Sequence, residues 1–261
     1  MSILSRSRAS LSRLYALGTP AATVVVLRDS AKHGVQCLLV QKSKAQRFGS
    51  LWVFPGGAVE ESDQIYHADT SEIDVVATAT KAAVRELFEE TQLQVLDNNM
   101  ALFSHWMPPA AEAKARGKAF STFFLAGEQA DDTEVQVCGG EIVEHQWLTA
   151  RDALALHADR RLPLLPPTWM TLDTLDRCCM SAAHGSAQDV LRALHATEAR
   201  SFETRRAQLP DGRSCFMWDG DAGFEESDPA APGKRFRMLG TVAGPPPQEG
   251  WSSTTFELVR H

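Results

Sequence analysis

The sequence has no apolar run approaching the roughly 20 residues that a helix needs to cross a bilayer, so a helical membrane protein is excluded. Positive charge is also in short supply. Lys and Arg number 26 against 33 Asp and Glu, a formal net charge of -7, which argues against a broad basic face gripping nucleic-acid phosphates. An anionic small ligand would need a local remedy, such as a metal ion. No C-x-x-C spacing links any of the five cysteines, Cys37, Cys138, Cys178, Cys179 and Cys215. Their odd number speaks for reduced thiols used in packing. A Walker loop, a zinc pattern and a Ser/His/Asp spacing are missing too, and "GEIVEHQW" is not H-E-x-x-H. What remains is an ordinary globular composition, 44% hydrophobic and 23% charged. A chain of 261 residues then holds one large domain, or a domain of about 150 residues with an elaboration.

Residues 1–17 contain Arg6, Arg8, Arg13 and five serines but no acid. They read as a basic N-terminal extension, with a cytoplasmic location expected and a mitochondrial transit peptide as the alternative. "AATVVVLR" and "QCLLVQK" flank a polar "DSAKHG" and predict a strand pair, and "LWVF" predicts a short strand stopped by Pro55 and released by Gly56 and Gly57. From Ile73 to Glu90 the positions Val76, Thr80, Ala83 and Leu87 repeat at helical steps, with Ser71 as a possible N-cap. Further strands are expected at "ALFSHWM", "STFFLAG" and "EIVEHQWL", and a helix begun by Thr149 at "TARDALAL". Strands, helix, strands, helix is the order of a mixed α/β domain. Beyond the proline-punctuated "RRLPLLPPTW", helices are expected at 168–181 and 187–206, with short strands at "KRFRML" and "TTFELV". This last region, from 177 to 261, is expected to be mainly helical.

The chemistry lies in "WVFPGGAVEESD" and in "RELFEE", twenty-one residues further on. Residues three and four apart share a helix face, so Glu86, Glu89 and Glu90 crowd their carboxylates together. Arg85 can relieve the repulsion through an i,i+4 contact with Glu89, and the patch remains a seat for a hard divalent cation. A solvated face with ordinary salt bridges is the blander alternative for such a patch standing alone. Gly56 and Gly57 permit backbone angles that let the main chain approach a metal or phosphate. Lys42, Lys44 and Arg47 are candidates to meet substrate phosphates at the rim, or else a solvated loop. His105, Trp106, His145 and Trp147 read as core or cleft wall.

These residues resemble the box of the Nudix hydrolase family, G-x5-E-x7-R-E-U-x-E-E-x-G-U with U aliphatic. Gly57 matches the first glycine, and "RELFEETQL" matches the helical half except that Gln92 stands for glycine. Asp63 takes the place of the first glutamate. Gly57 and Arg85 are 28 positions apart, so the box carries an insertion of 14. "LLVQKSKAQRFGSLWVFPGGAVE", "FFLAG" and "EHQWLTARDAL" are similar to a subgroup that includes acyl-coenzyme A diphosphatases with an interrupted box.

The resemblance implies a Nudix α/β/α sandwich with a mixed sheet over residues 18–176. It implies Mg²⁺ or Mn²⁺ held by Glu86, Glu89, Glu90 and the Gly57 carbonyl, with Arg85 orienting the acids. Glu141, with Glu144 as the alternative, is the implied base or further ligand. The implied reaction is hydrolysis of a small-molecule diphosphate, coenzyme A or an acyl-coenzyme A first, with NADH, ADP-ribose and nucleotide sugars as alternatives. A homodimer is implied as well. A non-catalytic nucleotide-binding module is the rival from another class.

Overall fold

The computed structural model describes residues 18–45, 49–96, 99–109, 119–181, 185–242 and 254–260. The basic N-terminal extension lies outside them. Two long strands, β1 (Thr19–Ser30) and β2 (Gly34–Lys42), form the expected antiparallel pair. The short β3 (Trp52–Val53) adds to β2, and β4 (Gly56–Ala58) pairs back onto β1. Helix α1 (Val75–Thr91) comes next, then β5 (Ala101–Met107), β6 (Phe120–Glu128), β7 (Ile142–Leu148) and α2 (Ala150–Ala158). The main path of the sheet is completed by β8 (Arg200–Glu203), in the order β3-β2-β1-β6-β5-β8, and β7 pairs with β2. The pairs β1–β6 and β5–β8 are parallel and the others antiparallel, so the sheet is mixed.

Alternation along the strands feeds two cores. Val24, Val26, Leu38 and Val40 face α1, while Val25, Leu27, Cys37 and Leu39 face the other side. That second side is covered by α2, α3 (Pro166–Ser181) and α4 (Ala187–His195). Helices on both faces make the α/β/α sandwich. Among the described residues no helix is long and apolar enough to cross a membrane. The cysteines are all free thiols; Cys37 and Cys215 are buried as packing residues, whereas Cys138 is exposed.

Several expectations shift. Helix α1 is capped by Asp74, whose carboxylate accepts from Ala77 N, and Ser71 stays in the preceding loop. Its buried stripe runs through Val75, Ala79, Ala83 and Leu87. Val76 and Thr80 flank that stripe rather than lead it. A helix expected to reach residue 206 ends at His195 instead. The stretch "RSFETRRAQ", just beyond it, carries Phe202 onto Trp106, the rings stacked with centroids 4.1 Å apart. Burial of that aromatic pair favours an extended chain paired to β5 over another two helical turns.

The region beyond residue 177 is therefore not mainly helical. It carries β9 (Arg205–Gln208), β10 (Ser214–Met217), β11 (Phe236–Val242) and β12 (Thr254–Arg260), an antiparallel sheet in the order β12-β11-β10-β9. A buried ion pair pins it: Asp221 accepts from Arg237 at 2.5 and 2.7 Å and from the main-chain N–H of Gly223 and Phe236. The boundary expected at 176/177 falls inside α3, and β8 joins the main sheet.

Candidate active site between the glycine turn and the glutamate helix

Pairing of β4 with β1 sets Gly57 opposite Ala22 and Gly56 opposite Thr23. Gly56 has φ +154°, and a Cβ there would stand 2.4 Å from the Ala22 carbonyl oxygen, so no side chain fits. At Gly57 a Cβ would stand 2.4 Å from Glu86 Oε1. The missing side chain is thus the space in which the Glu86 carboxylate lies. One residue earlier, Gly56 N–H donates to Glu90 Oε2 at 3.0 Å. Turn and helix form one site.

Arg85 organises its acidic side. Its Nε and Nη2 fork onto Asp63 at 2.8–3.3 Å, Nη1 donates to Glu86 at 3.0 Å and to Glu89 at 3.1 Å, and Nη2 also donates to the Ala58 carbonyl. The expected i,i+4 contact with Glu89 is thus accompanied by bonds to Asp63, Glu86 and Ala58. Asp63 is 1% exposed, and it also accepts from Glu60 N–H. Burial raises its carboxyl, but the Arg85 and Glu60 hydrogen bonds outweigh that and hold it below the ordinary carboxylate range. The hydrogen bond to Asp63 raises the Arg85 guanidinium in turn.

The stretch of chain between Asp63 and α1 leaves the Asp63–Arg85 contact intact. It folds as a closed loop: Tyr66 bridges Ile73, Asp74 N–H donates to Ile65 O, and Ile65 N–H donates to Thr78 Oγ1. Gln92, in the place of the final glycine, ends α1 in the left-handed conformation at φ 60°. Its backbone N–H and its side-chain amide both donate to Phe88 O, which helps a non-glycine residue hold that turn.

Glu90 is 4% exposed, at the last turn of the buried stripe. Burial pushes its carboxyl up to about 7; Lys42 and the Gly56 N–H pull the other way, and the charges of Glu86 and Glu141 add to the rise. Glu86 is also raised, by burial first, with Arg85 opposing. Glu89 is exposed. Among the described residues no group of three His, Cys, Asp or Glu side chains converges tightly enough to hold a metal by itself. The donor set is two desolvated carboxylates, a third at the rim and the Gly57 main chain. That partial, all-oxygen set fits a cation such as Mg²⁺, which keeps waters and takes substrate oxygens as its other ligands.

The remaining sequence candidates separate. Lys42 acts on both Glu86 and Glu90 and lines the cleft beside Gly56 and Gly57. Lys44 is exposed in the turn after β2, and Arg47 lies outside the described residues. Glu141 precedes β7, its carbonyl accepts from Ser43 N–H at 2.7 Å, and its charge reaches Glu90. Glu144 is exposed, opposite Gln41. His105 and Trp106 are buried.

From the two glycines a cleft of about 290 Å³ extends between Phe54, Trp106, Met107 and Phe120. Thr204, Arg206 and Phe216 complete its wall. Sequence reasoning missed these three, since nothing in the local pattern says that residues 204–216 fold back over the glycine turn.

Residues 18–166 match the model of the NUDIX domain. Comparison with curated proteins gives no match. Among solved structures the chain is similar to a NUDIX hydrolase from Alicyclobacillus acidocaldarius, at 21% identity and a TM-score of 0.53 over 69% of this chain and 96% of that one. That likeness is one of fold. The NUDIX domain of Shewanella oneidensis NrtR complexed with ADP ribose aligns at 17% identity and a TM-score of 0.43, over 60% of this chain and 84% of that one. A C. elegans Ap4A hydrolase aligns at 21% and 0.39, over 59% and 93%. Both are too distant in shape to bear on what this chain binds. The domain match takes in more than half of the 261 residues, with Arg85 and its acids held in register inside it, and the chain belongs to the NUDIX domain family, as a pyrophosphohydrolase.

Proposed function

We propose that the protein hydrolyses the diphosphate bond of coenzyme A or an acyl-coenzyme A, giving 3',5'-ADP and phosphopantetheine or its acyl form. Water adds to one phosphorus as the bridging P–O bond breaks, and each half leaves as a phosphomonoester. The observation that carries this reading is the cleft running from Lys42, Gly56 and Gly57 between Phe54, Trp106, Met107 and Phe120. A wall of apolar side chains with a few threonines and Arg206, next to a diphosphate site, suits a chain of methylene or acyl stretches carrying a few amides better than a second sugar with its many hydroxyls.

In this reading Glu86, Glu89, Glu90 and the Gly57 carbonyl hold Mg²⁺ or Mn²⁺. The bound cation would neutralise charge on the diphosphate oxygens and acidify the attacking water. Arg85 positions Glu86 and Glu89 while Asp63 holds Arg85 from behind. Lys42 meets a phosphate oxygen. Glu141, whose charge already reaches Glu90, takes the proton of the attacking water, and Glu144, on the opposite face of the strand, is the alternative.

The test is phosphorus-detected product analysis with Mg²⁺ or Mn²⁺ and a panel of coenzyme A, acetyl-coenzyme A, NADH, ADP-ribose and a nucleotide sugar. Release of 3',5'-ADP from the first two is expected. Cleavage of another member alone would move the substrate and keep the chemistry, and silence with both metals would favour a binding module. Homodimerisation, which the family resemblance implies, belongs to the same reading; a monomeric mass by light scattering would remove it.

A further inference from the structure

A larger cavity, of about 490 Å³, lies away from the glutamates and is lined from α3, α4, β5 and the edge of the C-terminal sheet. Four arginines face it: Arg177, Arg200, Arg235 and Arg260. Arg177 and Arg260 share a single carboxylate, Asp173, at 3.0 and 3.1 Å. Arg200 donates to the main-chain carbonyl of Asp219 and Arg235 to that of Ala231. Among the described residues, Glu198 is the one acid on the lining itself. Guanidinium charge therefore outnumbers carboxylate charge. Burial lowers the Arg200 guanidinium, with Asp219 opposing; burial, Arg177 and Arg200 lower that of Arg260, with Asp173 opposing. Like charges gathered on one wall repel one another unless something else supplies the counter-charge.

The other walls are apolar, among them Phe103, Trp106, Met170 and Leu194. Arg200 lies over the rings of Phe202 and Phe236, at 5.1 and 4.2 Å, and Arg260 over Phe236 at 5.4 Å. Stacking fixes the planes of these guanidiniums against the wall. A fixed planar fork of N–H donors matches the oxygens of a phosphate. The volume falls in the range of about 300–1,000 Å³ that holds small organic ligands, more than a bare inorganic anion fills.

We propose that this cavity is a second ligand site, for an organic phosphate of nucleotide size. Its phosphate lies on Arg177 and Arg260 at the mouth and its body against Trp106, Met170 and Leu194. Trp106 also lines the cleft at the glycine turn, so the two sites share one wall.

The test is calorimetric titration of the full chain in EDTA, with AMP as probe and adenosine and inorganic phosphate as comparisons. Without metal, binding here is read independently of hydrolysis, so failure of this site and failure of the proposed activity are separate results. Saturable AMP binding is expected, with phosphate weaker and adenosine silent. Arg177→Gln and Arg260→Gln should each weaken AMP by about tenfold or more, the worth of one charge-assisted hydrogen bond. Glu90→Gln should leave AMP binding unchanged. Both arginines are partly exposed, so the variants should keep the wild-type circular dichroism, and either alone decides. No saturable binding, equal affinity for adenosine, or AMP affinity unchanged by the arginine substitutions would overturn the site.

Discussion

The two cavities that meet at Trp106 are electrical opposites. At the glycine turn one arginine serves three acids, and the desolvation of Glu86 and of Glu90 is only partly offset by the protein. Across the wall four arginines face a smaller number of acids. Elsewhere the chain closes its charges: Asp221 and Arg237 pair with each other in the interior. A surplus of one sign, left open beside an apolar wall, is the mark of a site that expects a ligand of the other sign. A closed pair marks structure.

The largest effect should come from the acidic side. Glu90→Gln should lower turnover by about 10²–10³-fold, since charge stabilisation by a bound cation is worth several kcal/mol; near wild-type activity in steady-state assays would remove Glu90 from the machinery. Asp221→Asn should instead cost about 3–5 kcal/mol of stability, because it strands a buried arginine, and denaturant melts should report it. If that variant were as stable as wild type, the distinction between open and closed charge would fail.

Protonation sharpens the contrast. The Glu90 carboxyl sits at about 7 when folded and near 4.5 when unfolded, so the native state binds the proton more tightly. Stability of the metal-free protein from this group is full below about 4.5 and lost as pH rises to about 7, a change on the order of 3 kcal/mol. Thermal melts across that range should show the decline, and Glu90→Gln or excess Mg²⁺ should flatten it. A rise in stability over the same window would reverse the assignment. The smallest expected effect is at Gln92, where Gly should stabilise by roughly 0.5 kcal/mol by relieving the left-handed conformation, less what the amide hydrogen bond contributes.

The acidic site was legible because its chemistry is local. Arg85, Glu86, Glu89 and Glu90 lie within two turns of one helix, and the glycines that meet them sit in a turn with its own signature. Sequence spacing could not show how the stretch between Asp63 and Arg85 closes on itself; that depends on the hydrogen bonds of the loop. The arginine cavity had no such signal. Its charges come from positions 177, 200, 235 and 260, and only the return of β8 to the main sheet and of β12 to α3 gathers them. The same long-range pairing turned an expected helix into strands, for Phe202 finds its partner nearly a hundred residues away.

The loop between Asp63 and α1 can also be seen as a socket. Its two ends are clasped where Tyr66 bridges Ile73, and Tyr66 is 55% exposed. Everything the box needs is anchored on either side of that clasp. A reporter peptide or a small folded domain spliced between Tyr66 and Ile73 should therefore ride on the enzyme without entering its active site.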